Sequence, residues 1–370
     1  MKVLMFSIDR KIFEKGSHVR ERMIELGKLF DELHIIVYTK KGFQQEKISA
    51  NTTLYPTNLS IRELYPIKAF FMGQKILKGK NDFVMTTQEA MSNIPAIFLK
   101  WFYKVPLQLQ IHGDIFNPRF VTSFRLRLQK FAYEMGIRHA TCVRTVTKRI
   151  ANSIDDRFKN LTLKISVLPV FVDVKKYLEA KPSDILRKKY PKFGFVVLMA
   201  SRFEAEKKIE DAIRAFAVVA RANPDVGLVI VGSGALNDRY SALIRKLGLA
   251  KNVVIEEWAN DLVSYYKSAD IFLTTSSHES YGMTLVEAAA SGCPIITTNV
   301  GLVGEVLDGE SVTIVPHDNP EAIAEAIMRL RKIPQLREEL ARRAKEKVVN
   351  FPAKSEWLAS YKSSLISYLG

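Results

Sequence analysis

Cysteine is nearly absent: Cys142 and Cys293 are the two in 370 residues. They lie far apart and fit no metal-ligand spacing, which excludes a disulfide framework and a structural zinc site and points to a reducing, cytosolic setting. No apolar run approaches the ~20 residues that a membrane-spanning helix needs. The most apolar stretches, such as Phe195–Ala200 and Val226–Val231, are strand-sized. The opening run Met1–Phe6 is too short for a secretory apolar region and is followed by no small-residue cleavage site, so it reads as a first buried strand. Low-complexity segments and short-period repeats are missing, which sets aside linkers and solenoids. No nucleophile elbow is present, so His278 belongs to no hydrolase triad.

Acidic residues are scarce in one half only. Residues 1–170 carry 28 Lys+Arg against 14 Asp+Glu, a net of +14, whereas residues 171–370 carry 27 against 25, a net of +2. An excess confined to one half indicates an anionic partner for that half: nucleic acid, an anionic membrane surface or a phosphorylated acceptor. The overall composition, 47% hydrophobic and 25% charged, is that of a folded globular chain long enough for two domains.

Strand-sized apolar runs alternate with helical stretches, and the alternation occurs twice. The first half has runs at Val3–Ser7, Leu33–Tyr38, Phe83–Thr86, Leu107–Ile111 and Thr141–Val146, with helices expected at Val19–Phe30, Glu89–Lys104 and Phe124–Gly136. The second restarts with Phe195–Ala200, Gly227–Val231, Val253–Ile255, Ile271–Thr274 and Pro294–Thr297, again separated by helices. This is the pattern of parallel sheets covered on both faces, an α/β fold. The boundary is placed after Val170, giving domains 1–170 and 171–352. In the tail 353–370, Trp357, Tyr361 and Leu365 form a helical stripe that must bury itself, on the first domain or on the second.

Two segments carry chemistry. The stretch from Ser276 to Pro294 follows a strand and opens a helix near Thr284, where free N–H groups and the helix dipole favour phosphate oxygens. Gly282 allows close approach of a ligand to the backbone. Glu279 and Glu287 flank the helix start, and such carboxylates suit the hydroxyls of a sugar and a ribose around one diphosphate. In the stretch Ser201–Lys208, Arg202 and Lys207 sit on a strand-to-helix loop, where two cations can neutralise a diphosphate leaving group.

Taken together, these segments resemble glycosyltransferase family 4, the retaining group 1 glycosyltransferases of the GT-B fold. The resemblance rests on the R-x3-E-K loop (Arg202, Glu206, Lys207), the turn Val231-Gly232-Ser233-Gly234, the stretch Tyr265–Asp270 and the pair Glu279 and Glu287. It covers roughly residues 195–300. In the first half it extends more loosely to Gly16 and to His112-Gly113. It implies two Rossmann-like domains facing each other across a cleft, with a C-terminal helix that crosses back to the first. Arg202 and Lys207 would bind the donor diphosphate, with Gly232 and the segment Ser280, Tyr281, Gly282, Met283 and Thr284 completing the donor site. Glu287 would hold the ribose, Glu279 the donor sugar or its phosphate, and His112 would reach that sugar while Gly16 lets the diphosphate approach. The family retains anomeric configuration and needs no metal. This chain has no D-x-D motif, so no cofactor is expected beyond a UDP- or GDP-sugar co-substrate. Departures are Ser201, Lys208 and Trp258 at positions where the family usually has glycine, and Lys15 in place of the first of a glycine pair.

The implied acceptor is a glycan or a lipid-linked molecule, to which a hexosyl group would be transferred. Ile61–Lys80 and Phe116–Phe131 interleave cations (Arg62, Lys68, Lys75, Lys78, Lys80; Arg119, Arg125, Arg127, Lys130) with aromatic and aliphatic side chains. That pattern suits a peripheral contact with anionic lipid at the inner face of a membrane. Two rival readings are a nucleotide-sugar epimerase of the same fold and a non-catalytic basic nucleic-acid-binding protein. The second lacks an RNA-binding signature or helix-turn-helix and leaves Glu279 and Glu287 unexplained, so no nucleic acid is expected.

Overall fold

The strand-sized runs form two separate sheets in a computed structural model that describes residues 1–79, 81–117 and 124–366. Lys80, Arg119 and Phe120 lie outside the described residues, as do the side chains of Phe124 and Arg125. One unit comprises Met1–Pro169 and Lys354–Gly370; the other comprises Val170–Ala353.

The first unit contains strands β1 (Lys2–Ser7), β2 (Glu32–Val37), β3 (Glu46–Lys47), β4 (Thr52–Pro56), β5 (Phe83–Thr87), β6 (Leu107–Ile111), β7 (Cys142–Thr145) and β8 (Lys164–Val167). They pair in the order β3-β4-β2-β1-β5-β6-β7-β8, all parallel except for β3 against β4. The central β1 buries Val3, Leu4, Met5 and Phe6 completely, as a strand covered on both faces must. Its register sets Leu4 beside His34 on one side and Met85 on the other. The helices are α1 (His18–Gly27), α2 (Tyr65–Leu77), α3 (Ala90–Tyr103), α4 (Phe124–His139) and α5 (Lys148–Arg157). Ser17 and Thr147 cap α1 and α5 by accepting from the amides three residues on, which satisfies donors the helices cannot.

The second unit holds β9 (Phe195–Ala200), β10 (Val226–Val231), β11 (Val253–Glu256), β12 (Ile271–Thr274), β13 (Ile295–Thr298) and β14 (Thr313–Val315), parallel throughout in the order β11-β10-β9-β12-β13-β14. Its helices are α6 (Val174–Leu178), α7 (Ile185–Lys189), α8 (Ile209–Ala222), α9 (Asn237–Lys246), α10 (Leu262–Ser268), α11 (Met283–Ser291), α12 (Pro320–Lys332) and α13 (Pro334–Val348). Side chains of α8 and α12, among them Ile213, Phe216 and Ile327, close the core over Val197, Leu228 and Ile230. Arg187 of α7 makes a two-pronged bond to Asp270, whose Oδ2 also accepts from the Val196 amide at 2.8 Å. Lys189 reaches Glu256 at 2.7 Å, so the segment before β9 is tied to β11 as well as to the start of β12.

The last helix, α14 (Lys354–Ile366), belongs to the first unit. Its stripe is buried: Trp357 stacks on Tyr361 with ring centroids 5.6 Å apart, and Trp357 Nε1 donates to the Pro169 carbonyl at 2.7 Å. Gln110 donates to the Tyr361 hydroxyl at 2.9 Å and Gln108 to the Ser364 carbonyl at 2.6 Å.

Candidate active site

In each sheet the chain reverses its winding direction at one place. Open α/β sheets bind ligands outside the carboxyl ends of the strands at such a switch point. In the second unit the switch lies between β9 and β12. The loop after β9 carries Arg202 and Lys207, and the loop after β12 carries Glu279, so the two motif segments meet there because the strand order brings them together. Thr275 donates to the Lys207 and Lys208 carbonyls at 2.9 Å each, and the Ser277 amide donates to the Glu206 carbonyl at 2.7 Å. These bonds fix one loop against the other.

The same stitching positions the side chains. Lys207 Nζ lies 2.6 Å from Glu279 Oε1, and both side chains are largely buried. Ser276 Oγ donates to the same carboxylate oxygen at 2.7 Å. An ammonium has three donors and Glu279 takes one, so two remain for phosphate oxygens. Arg202 is exposed and bonds Glu204 at 2.7 Å, with a guanidinium free to swing to a ligand. Lys208, at a usual glycine position, adopts the left-handed conformation (φ 50°) and bonds Asp318 at 2.7 Å. It therefore keeps the turn that glycine would give, at a cost of roughly 1 kcal/mol.

Helix α11 begins one residue earlier than the sequence indicates, with Gly282 as its N-cap at φ 89° and no capping side chain. The Met283 and Thr284 amides accordingly face outward without an acceptor from the helix. The Tyr281 carbonyl is taken by the Leu302 amide at 3.0 Å, and a Cβ on Gly301 would come within 2.3 Å of it. Ser280 and Met283 are partly or largely open to solvent at this end. Glu287, one turn into the helix, accepts from the Tyr266 hydroxyl at 2.9 Å. Burial raises the Glu287 carboxyl above its ordinary pKa, while hydrogen bonds from Tyr266 and Tyr177 pull it down. Carboxylate lone pairs remain for further hydroxyls.

Gly232 and Gly234 have a packing reason of their own. A Cβ on Gly232 would lie 1.9 Å from the Ser201 carbonyl oxygen, and one on Gly234 2.6 Å from that of Phe203. Glycine lets the loop after β10 seat directly on the Arg202 loop, where the Phe203 amide donates to the Ser233 carbonyl at 2.9 Å. Trp258 is half exposed just beyond β11.

In the first unit the switch lies between β1 and β5. Gly16 is exposed at φ 78° immediately before the cap of α1, with open space around its Cα. His112 follows β6. Burial, reinforced by the positive charges of Arg144 and Arg22, pushes its imidazole down to about 4, so it is neutral near pH 7. Its Nε2 is buried with no hydrogen-bond partner among the described residues. A neutral imidazole with one unused nitrogen is equipped to bond a neutral hydroxyl.

Sequence reading missed Glu89, which follows β5 at this switch point. Burial, with the charge of Asp9 nearby, raises its carboxyl to about 7. Its place directly after a buried strand at the switch point was the available signal. A carboxyl raised in the folded state keeps its proton while the unfolded chain loses it, so it lowers stability as pH rises from 4.5 to about 7 and no further above that. Glu89→Gln removes the ionisation. The variant should be more stable than the parent by about 1–3 kcal/mol near pH 8 and equal to it near pH 4, as judged by denaturant midpoints. An equal gain at both pH values would assign the effect to packing.

Among the described residues no group of three or more His, Cys, Asp or Glu is placed to hold a metal ion.

Two α/β units with largely parallel sheets are the layout of the GT-B fold. Residues 183–347 match the family model "Glycosyl transferases group 1". An uncharacterized glycosyltransferase of Methanocaldococcus jannaschii is 26% identical over 288 residues, 74% of this chain and 70% of that protein. Two other curated relatives are matched over 45% and 46% of their own length. Among solved structures, sucrose-phosphate synthase from Thermosynechococcus elongatus superposes with a TM-score of 0.79 at 18% identity, over 100% of this chain and 99% of that one. HepE of Anabaena in complex with UDP gives 0.77 at 18%, over 99% and 100%.

Proposed function

We propose that this chain is a retaining, metal-independent hexosyltransferase that moves a hexosyl group from a UDP- or GDP-sugar to a glycan or lipid-linked acceptor. The observation that carries this reading is the Lys207–Glu279 pair at 2.6 Å beside the uncapped start of α11. The first unit presents the acceptor and the second binds the donor. Glu287 takes the ribose hydroxyls, and the Met283 and Thr284 amides take phosphate oxygens. Tyr281, Ser280 and Gly282 shape that cradle, and Gly16 leaves room for the diphosphate.

In the reaction the bond from the anomeric carbon to the diphosphate oxygen breaks, and the nucleoside diphosphate leaves with the electron pair. Lys207 and Arg202 stabilise that charge as it develops, which is where electrostatic catalysis acts. The acceptor hydroxyl bonds to the anomeric carbon from the same face and passes its proton to the departing phosphate oxygen. His112 and Glu279 orient the sugar by hydrogen bonds to its hydroxyls.

The test is an assay of UDP- and GDP-hexoses against pooled glycan and lipid-linked acceptors, with the product's anomeric configuration read by NMR. Retained configuration and a rate unchanged by chelator are expected. An inverted product, or activity restored only by a divalent ion, would overturn the reading. An altered free sugar formed without acceptor would identify an epimerase.

A further inference from the structure

Helices α2, α3 and α4 lie side by side in the first unit, α3 packing against both neighbours. Each buries one face: Ala69, Gly73 and Ile76 of α2, and Ala96, Ile97 and Leu99 of α3, are in the core. A helix half open to water normally has a polar outer face. Helix α3 has an apolar one. Met91, Ile94, Phe98, Trp101 and Phe102 recur at helical spacing along its outer side, and Trp101 and Phe102 are 52% and 69% exposed. On α2, Ile67 and Phe71 are exposed, as are Leu128 and Phe131 on α4.

The rings form one continuous strip. Phe70 meets Phe71 at 5.6 Å, Phe98 at 6.3 Å and Phe102 at 6.0 Å, Phe98 meets Trp101 at 5.4 Å, and Trp101 meets His139 of α4 at 5.1 Å. A connected exposed apolar strip of this kind marks an interaction surface.

Its charge selects the partner. Neither α2 nor α3 contains an acidic residue. The one acid of α4, Glu134, bonds Arg157 at 3.0 Å and lies 3.9 Å from Arg138. Exposed cations surround the strip: Arg62, Lys68, Lys75 and Lys78 at the α2 side, Lys104 at the end of α3, and Arg127 and Arg138 on α4. Protein interfaces place charges of both signs at their rim, whereas aromatic rings bordered mainly by lysine and arginine match the headgroup layer of an anionic bilayer.

We infer that the outer face of α2, α3 and α4 docks on an anionic lipid bilayer, with Phe98, Trp101 and Phe102 entering the headgroup region. This surface is separate from the residues assigned to the donor, so it stands or falls independently of the proposed transfer reaction.

The experiment is flotation of the full chain with phosphatidylcholine vesicles, with and without phosphatidylglycerol, at low and high salt. Flotation with the anionic vesicles alone, weakened by salt, is expected. Phe98→Ser/Trp101→Ser/Phe102→Ser should weaken it by about tenfold or more, and Lys68→Glu/Lys75→Glu should do the same, since it reverses two of the charges that face the anionic surface. The circular dichroism spectra and urea midpoints of both variants should equal those of the parent, which shows that they are folded. No flotation of the parent at low salt, or flotation indifferent to the aromatic variant, overturns the proposal. So does sedimentation showing a dimer of the parent that the aromatic variant abolishes, because the face would then be a contact between copies.

Discussion

Lys207→Ala should lower turnover by about a hundredfold to a thousandfold while the chain stays folded. The ammonium sits where diphosphate charge is proposed to develop, held by Glu279 and by the bonds that tie the β9 and β12 loops together. Ground-state affinity for the nucleotide should fall much less, because Arg202 and the α11 amides continue to bind the phosphates. Glu279→Gln should also be slow, because a neutral amide holds the Lys207 ammonium less firmly than the carboxylate does. The double variant should be little worse than Lys207→Ala, since the two act as one unit. Steady-state kinetics of the four proteins decides the matter. Near-normal turnover of Lys207→Ala would remove the lysine from the mechanism.

The second large effect is on stability. Tyr361→Ala should destabilise the first unit by about 3–5 kcal/mol, the cost of deleting a fully buried aromatic ring. The ring does more than fill space. Arg144 is buried and has no carboxylate partner among the described residues; its guanidinium bonds Gln110 at 2.7 Å and lies 5.1 Å from the Tyr361 ring centre. Burial lowers the Arg144 pKa to about 10, a sign of a poorly solvated cation, and the ring is one of the few groups that compensates it. Tyr361→Phe keeps the ring and gives up the bond from Gln110, so it should cost only about 1 kcal/mol. Urea unfolding, with nucleotide binding as a separate reporter of the second unit, checks both values. A loss below that of Tyr361→Phe would contradict the role given to the ring.

Much of the fold was legible because long buried strands announce themselves. Runs such as Phe195–Ala200 and Val226–Val231 are apolar at every position and bounded by turn residues. What escaped was short or polar. Thr52–Pro56 pairs with the buried β2 although only Thr52 and Leu54 are covered. Lys164–Val167 is an edge strand with no fully buried residue.

The residues that the loops after β9 and β12 bring together were legible one by one. Its geometry was not, because a spacing rule does not say which loops a strand order makes neighbours. The pairing of Lys207 with Glu279 spans 72 positions and follows from β9 lying beside β12. The role of Gly232 in loop packing was hidden for the same reason. In the first unit, Phe116 was read as part of a lipid-facing segment, yet it packs on Phe158 at 5.8 Å, before α4 begins. The exposed stripe of α3 was passed over because its sequence looks like an ordinary core helix. Only the position of its neighbours shows that one of its two apolar faces has nothing to cover it among the described residues.

The central claim is that the second unit is a nucleoside-diphosphate site built from Arg202, Lys207 and the start of α11. Calorimetry with UDP, GDP and ADP, on the parent chain and on Arg202→Ala, tests it most directly. The account predicts saturable one-to-one binding of UDP or GDP that weakens by about tenfold or more in the variant, as expected for loss of a charge-assisted phosphate contact. Absence of binding by all three nucleotides, or equal binding by parent and variant, would contradict it.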